Sequence, residues 1–89
     1  MDLREYPIGD DKVPAKDATS VQLREEAERT EDPEQKLKLG EVANWREFLE
    51  DLHRRILEGL ADTLGEDDYD MVRKLLEWET QSVVEHILE

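Results

Sequence analysis

Between Val42 and Leu64 the chain reads V-A-N-W-R-E-F-L-E-D-L-H-R-R-I-L-E-G-L-A-D-T-L. Val42, Trp45, Leu49, Leu52, Ile56, Leu60 and Leu64 recur there at steps of three and four. That spacing lines one side of an α-helix, so the stretch predicts an amphipathic helix with a stripe to bury. An isolated helix is marginal in water and draws its stability from whatever covers its apolar face. What lies against this stripe is therefore the first question the chain poses.

The helix has a clear start upstream. Asp32 suits an N-cap, Pro33 suits the first helical position, and Gln35 completes a capping-box pattern. A single helix over residues 33–64 is predicted, with Gly65 as a left-handed stop. Gly40 falls on the polar side, where a glycine costs about 1 kcal/mol against alanine, and a break or bend there is a natural expectation. Gly59 lies at the border of the apolar face, where a missing side chain lets another helix approach.

The short link Gly65-Glu66-Asp67-Asp68 leads into a last helix over residues 68–88, capped by Asp67 or Asp68. Tyr69, Val72, Leu76, Val83 and Ile87 form its expected main face, and Asp70 and Lys74 are an i,i+4 pair. So short a link makes the two helices antiparallel neighbours. At about 1.5 Å per residue, residues 33–64 span about 48 Å and the last helix only about 31 Å. Leu37 and Leu39 therefore overhang the hairpin and need cover from elsewhere.

Two preceding segments could supply it. Thr19-Ser20-Val21-Gln22 has capping-box form and opens a short helix over residues 19–30, with Val21, Leu23 and Ala27 as a thin apolar face and Glu25–Arg29 as an i,i+4 pair. Residues 1–18 contain Pro7, Gly9 and Pro14, which bar a helix. With Leu3, Tyr6, Ile8 and Val13 scattered along it, this segment reads as an extended arm, either free or laid in a groove.

The expected fold is all-α: an antiparallel hairpin of a long helix and a C-terminal helix, with a short N-terminal helix and an extended arm. It forms one helical domain over residues 19–89. Eighty-nine residues bury a modest core, and a two-helix hairpin buries too little to stand alone. Met71, Leu75 and Trp78 lie on the flank of the last helix, away from its main stripe. Dimerisation that completes a four-helix bundle resolves both mismatches. Trp45, Phe48, Leu52, Met71, Leu75 and Trp78 are the expected partner or dimer contacts.

Charge narrows the partners. The chain carries 12 basic and 25 acidic residues, net −13, and the acid is not confined to a tail: 5 against 10 in residues 1–32, 7 against 15 in residues 33–89. Such a field repels phosphate backbones and anionic lipids, so neither nucleic acid nor membrane is expected, and a basic protein surface is favoured. The acidity also serves solubility. Cysteine is absent, which removes disulfides, thiolate metal sites and cysteine nucleophiles. No apolar run approaches the roughly 18 residues of a membrane span. M-D-L-R-E-Y lacks the basic-then-apolar form of a signal peptide, so cytoplasm is the default.

Catalytic patterns are thin. Glu50-x-x-His53 has the i,i+3 spacing of carboxylate-bridged di-metal bundles, but such sites need a second motif, and His86 follows Val83 instead. Glu47-x-x-Glu50 with Asp67-x-x-Asp70 has the form of paired carboxylates that hold Mg²⁺ in all-α nucleotide pyrophosphohydrolases, yet Glu47 and Glu50 point away from the apolar stripe and Asp67 belongs to a turn. Asp68-x-Asp70 lacks the glycine and closing glutamate of a Ca²⁺ loop. Neither Ser20 nor Ser82 has a base at motif spacing. Glu79 falls on the apolar side of the last helix, with His86 one heptad on; Arg55 is its candidate partner. His53, Arg55, Glu79 and His86 are the expected polar interface positions.

The reading is a non-enzymatic interaction protein of adaptor, assembly-chaperone or regulator type, without catalytic, cofactor or metal residues. Its partner is itself as a homodimer, or a basic protein. The alternative is an acidic inhibitor or nucleic-acid mimic, such as an antitoxin or immunity protein, using Glu47, Glu50, Asp51, Glu58 and Asp62 as a carboxylate array unless Arg46, Arg54 and Arg55 break it. A metal-dependent helical nucleotide hydrolase is the remote third.

Overall fold

A computed structural model describes residues 2–89; Met1, the first residue of the expected arm, lies outside it. Two short strands, β1 (Pro7–Ile8) and β2 (Val13–Pro14), precede helices α1 (Ser20–Arg29), α2 (Pro33–Leu60) and α3 (Glu66–Leu88). The strands pair antiparallel with Ile8 opposite Val13. The molecule is elongated, 48 × 22 × 18 Å.

The helix starts follow local side-chain chemistry. Thr19 accepts from the Gln22 N–H while the Gln22 side chain accepts from the Thr19 N–H, a complete capping box. Asp32 accepts from the Glu34 and Gln35 N–H groups, and Pro33 sits at N1 without a donor to lose. α2 runs through Gly40 without a break. An added Cβ there would meet open space, while Leu39, Val42 and Ala43 on the other side are fully buried, and that packing outweighs the glycine's cost.

The C-terminal boundary of α2 differs from expectation. The helix stops at Leu60, four residues early, and the Thr63 and Leu64 N–H groups both bond the Leu60 carbonyl oxygen. Ala61-Asp62-Thr63 are small or polar and leave the stripe with nothing to bury. Gly65 is not a left-handed stop: its φ is −67°, and it stands at the N-cap of α3 without a side-chain cap. Asp67 and Asp68 are thus first-turn residues rather than caps, set with Glu66 against the positive end of the helix.

The arm is folded rather than extended. Gly9 (φ 72°) and Lys12 (φ 54°) turn it back on itself, a conformation natural to Gly9. Leu3, Ile8, Ala15 and Ala18 are buried with Leu23, Ala27, Leu39, Val42, Ala43, Val84 and Leu88 in one core. The Leu3 N–H donates to the Leu88 carbonyl oxygen at 2.7 Å, satisfying one of the groups a helix end leaves open. The Lys16 carbonyl oxygen accepts from Arg46 Nη2 and from Gln81 Nε2, both at 2.9 Å, so α2 and α3 clasp the arm together. The overhanging start of α2 is thereby covered from within the chain: Leu39 is buried by the arm and α1, while Leu37 stays exposed.

The core therefore lies at one end. It holds the arm, α1, the first half of α2 and the last turns of α3. The far half of the α2–α3 hairpin projects from it as a bare helix pair, buried only at Leu49, His53 and Thr80.

Candidate functional site

The projecting hairpin has two unlike sides. One carries a groove of about 570 Å³ lined by Arg46, His53 and Leu57 of α2 and by Arg73, Leu76 and Thr80 of α3, among others. Stepping back one residue, about 100°, from those α2 positions lands on Trp45, Leu52 and Ile56; stepping back on α3 lands on Val72, Leu75 and Glu79. The helices are antiparallel, so both steps turn toward the same side. That side, opposite the groove, is the apolar one.

It is also exposed. Trp45 keeps 44% of its surface in water and Trp78 70%, and Phe48, Leu52, Ile56, Met71 and Leu75 are exposed as well. Trp45 and Phe48 stack edge to face, centroids 5.9 Å apart and planes at 90°. The arm and α1 pack mainly on the first half of α2, α1 reaching Glu47 through Arg24, and they leave these side chains exposed. All six expected contact residues are thus on the surface of the chain, with Met71 and Trp78 wrapped furthest round α3.

The sequence stripe and the buried face differ by part of a turn. On α2 the buried positions are Leu39, Val42, Ala43, Leu49 and His53, while Trp45, Leu52 and Ile56 of the expected stripe face out. On α3 they are Thr80, Val84 and Leu88, with Val72, Leu76, Val83 and Ile87 half-buried at the edge. Polar His53 and Thr80 take the central hairpin contact because they satisfy one another: Thr80 Oγ1 lies 3.2 Å from His53 Nδ1 and donates to the Leu76 carbonyl oxygen at 3.1 Å.

The other expected polar positions do not converge. His53 meets the Thr80 hydroxyl. Arg55 pairs with Asp51 at 3.1 Å rather than with Glu79. Glu79 is exposed and has no ion pair among the described residues, so water solvates it and burial exacts no penalty. His86 is exposed at the far end of α3, 3.7 Å from Glu89. Arg29 pairs with Glu26 at 3.6 Å in place of Glu25, whereas Asp70–Lys74 forms at 3.1 Å.

Arg46 is the residue that sequence reasoning passed over as a groove element. Its side chain is largely buried, with Nη1 3.9 Å from Glu50 and Nε without a hydrogen-bond partner. Burial lowers its pKa, opposed by the carboxylates of Glu50 and Asp17. Its register with Val42, Leu49 and His53, at steps of three and four, was the available signal.

The proposed carboxylate array on α2 is interrupted. Glu47 pairs with Arg24, Glu50 with Arg46, and Asp51 with both Arg54 (2.7 Å) and Arg55. Among the described residues no group of three or more His, Asp or Glu side chains is arranged to hold a metal ion, and Glu50 is exposed while His53 turns inward to Thr80. No helix among them is long and apolar enough to cross a membrane. No family model matches the chain, and neither a curated protein nor a solved structure matches it.

Proposed function

We propose that this is a non-enzymatic interaction protein, of adaptor, assembly-chaperone or regulator type, that acts in the cytoplasm by covering the apolar side of its projecting hairpin with helices from a second molecule. The observation that carries the reading is the division of labour along α2. Its first half is buried by the chain's own arm and α1, and its second half leaves Phe48, Leu52 and Ile56 in water beside Trp45. Large exposed aromatic and aliphatic side chains gathered on one side of a small domain mark contact surfaces.

Two further helices laid on that side complete a four-helix bundle. A second copy of the chain supplies them in a homodimer; a basic protein supplies them in a heteromeric complex. The inhibitor or mimic reading is weaker, since Glu47, Glu50 and Asp51 are each engaged by an arginine, leaving only Glu58 and Asp62 of the five without an ion pair among the described residues.

A photoreactive residue placed at position 52 in the native cell tests the reading, with position 36 as the control. Lys36 is exposed near the start of α2, beyond the hairpin. A protein adduct at position 52 and none at position 36 is expected, at the mass of a dimer or of a larger complex. No adduct at position 52 would remove the proposal.

A further inference from the structure

The two sources of helices differ in charge, and the structure separates them. Residues 42–88 hold five cations against twelve carboxylates. All five cations, Arg46, Arg54, Arg55, Arg73 and Lys74, are engaged by carboxylates of the same hairpin. Within these residues no cation is left unpaired; Lys36 and Lys38, which have no ion pair among the described residues, lie at the start of α2 ahead of Glu41. On the apolar side itself, Glu41 stands one turn before Trp45 on the α2 stripe, and Glu79 interrupts the α3 stripe between Leu75 and Val83. Neither carboxylate has an ion pair among the described residues.

A second copy would bring the same two carboxylates, and a net −13 of its own, onto this side. Like charges set across a contact oppose it, and at an apolar seam each loses water without gaining a partner. A helix carrying Lys or Arg beside its apolar face meets Glu41 and Glu79 with opposite charge and gives both the partner they lack. From Trp45 to Ile56 the stripe runs eleven residues, about 17 Å, or three helical turns. That length matches the i, i+3, i+4, i+7 anchors with which an amphipathic helix fills a groove.

We infer that the occupant of the Trp45–Leu52–Ile56 side is a cationic amphipathic helix of another protein, not a second copy of this chain. The inference rests on the docking reading above and names the partner's chemistry.

Three synthetic peptides of about 20 residues test it against the full chain by calorimetry and tryptophan fluorescence. One has a leucine face with lysine on its polar face, one has the same leucine face with glutamate, and one is the lysine peptide scrambled to destroy the face. Light scattering fixes the mass of the chain alone. The expected result is a monomer that binds the lysine helix about tenfold or more tighter than the other two. Glu41→Gln and Glu79→Gln each weaken that complex roughly twofold to fivefold, a loss that salt reduces. Equal binding of the lysine and glutamate helices overturns the charge assignment and leaves the docking reading standing. So does a stable dimer whose Leu52→Glu variant is monomeric, since the occupant is then a second copy. Equal binding of the scrambled peptide overturns the inference, because no helical face is then being read. A monomer that binds none of the three removes inference and docking reading together.

Discussion

Replacing isoleucine by alanine at two positions separates the buried end of the molecule from its uncovered side. Ile8 in the arm is 1% exposed and Ile56 on α2 is 39% exposed. The change deletes about three methylene equivalents, and at about 0.8 kcal/mol each the transfer loss at Ile8 is about 2.4 kcal/mol. The cavity left in a close-packed core adds to this and brings the expected cost to about 3–4 kcal/mol. At Ile56 roughly three-fifths of the side chain is covered, so the same sum gives about 1.4 kcal/mol. No closed cavity forms there, and alanine returns a few tenths of a kcal/mol in helix propensity, leaving about 1 kcal/mol. A domain of this size has a total stability of order 4–13 kcal/mol, so Ile8→Ala removes a large part of it. Urea unfolding followed by far-ultraviolet circular dichroism, at low protein concentration, measures both. Equal losses, or a loss at Ile8 below about 0.5 kcal/mol, would refute the placement of the arm in the core. A large, concentration-dependent loss at Ile56 would mean that a second molecule already covers it.

Thr19→Ala breaks the capping box of α1 and is expected to cost about 1 kcal/mol by the same unfolding assay, with Thr19→Gly milder. Thr80→Val leaves the buried His53 Nδ1 without its partner and is expected to cost about 1–3 kcal/mol; because the Thr80 proton is given to Leu76, nitrogen NMR of His53 is expected to show the Nδ1–H tautomer. Hydrogen bonds from the Arg4 side chain and N–H hold the Asp2 carboxyl at about 2, against 3.8 ordinarily. Its folded pKa is depressed, so its contribution to stability is present above about pH 4 and is lost as pH falls toward 2. Carbon NMR titration is expected to return Asp2 toward 3.8 in Arg4→Gln.

How far the sequence discloses this fold depends on the range of the interaction that decides each feature. Helix starts at Thr19 and Asp32 are legible because capping chemistry acts over three residues. The hairpin is legible because α2 and α3 are long and the link between them is short. Which side of α2 meets α3 is not legible: its apolar stripe is wider than one helix contact, and the buried centre is taken by polar His53 and Thr80, whose bond joins positions 27 residues apart. The arm is harder still, since Leu3 is fixed by Leu88 at the other end of the chain. The six expected contact residues are large and apolar and all are exposed; Met71, Leu75 and Trp78 stand out by period alone, whereas Trp45 and Leu52 belong to the stripe and their exposure is not legible. For Arg46 the register with Val42, Leu49 and His53 marks only an inward position; its hydrogen-bond partner, the Lys16 carbonyl oxygen, lies 30 residues away and is not legible.

The exposure of the two indoles in the isolated chain bears most directly on the uncovered hairpin. Acrylamide quenching of Trp45→Phe and Trp78→Phe, each leaving one reporter, measures it in dilute, monodisperse protein. Trp78 is expected to quench almost as freely as tryptophan in water and Trp45 to an intermediate degree. A monomer in which both indoles are shielded would contradict the account.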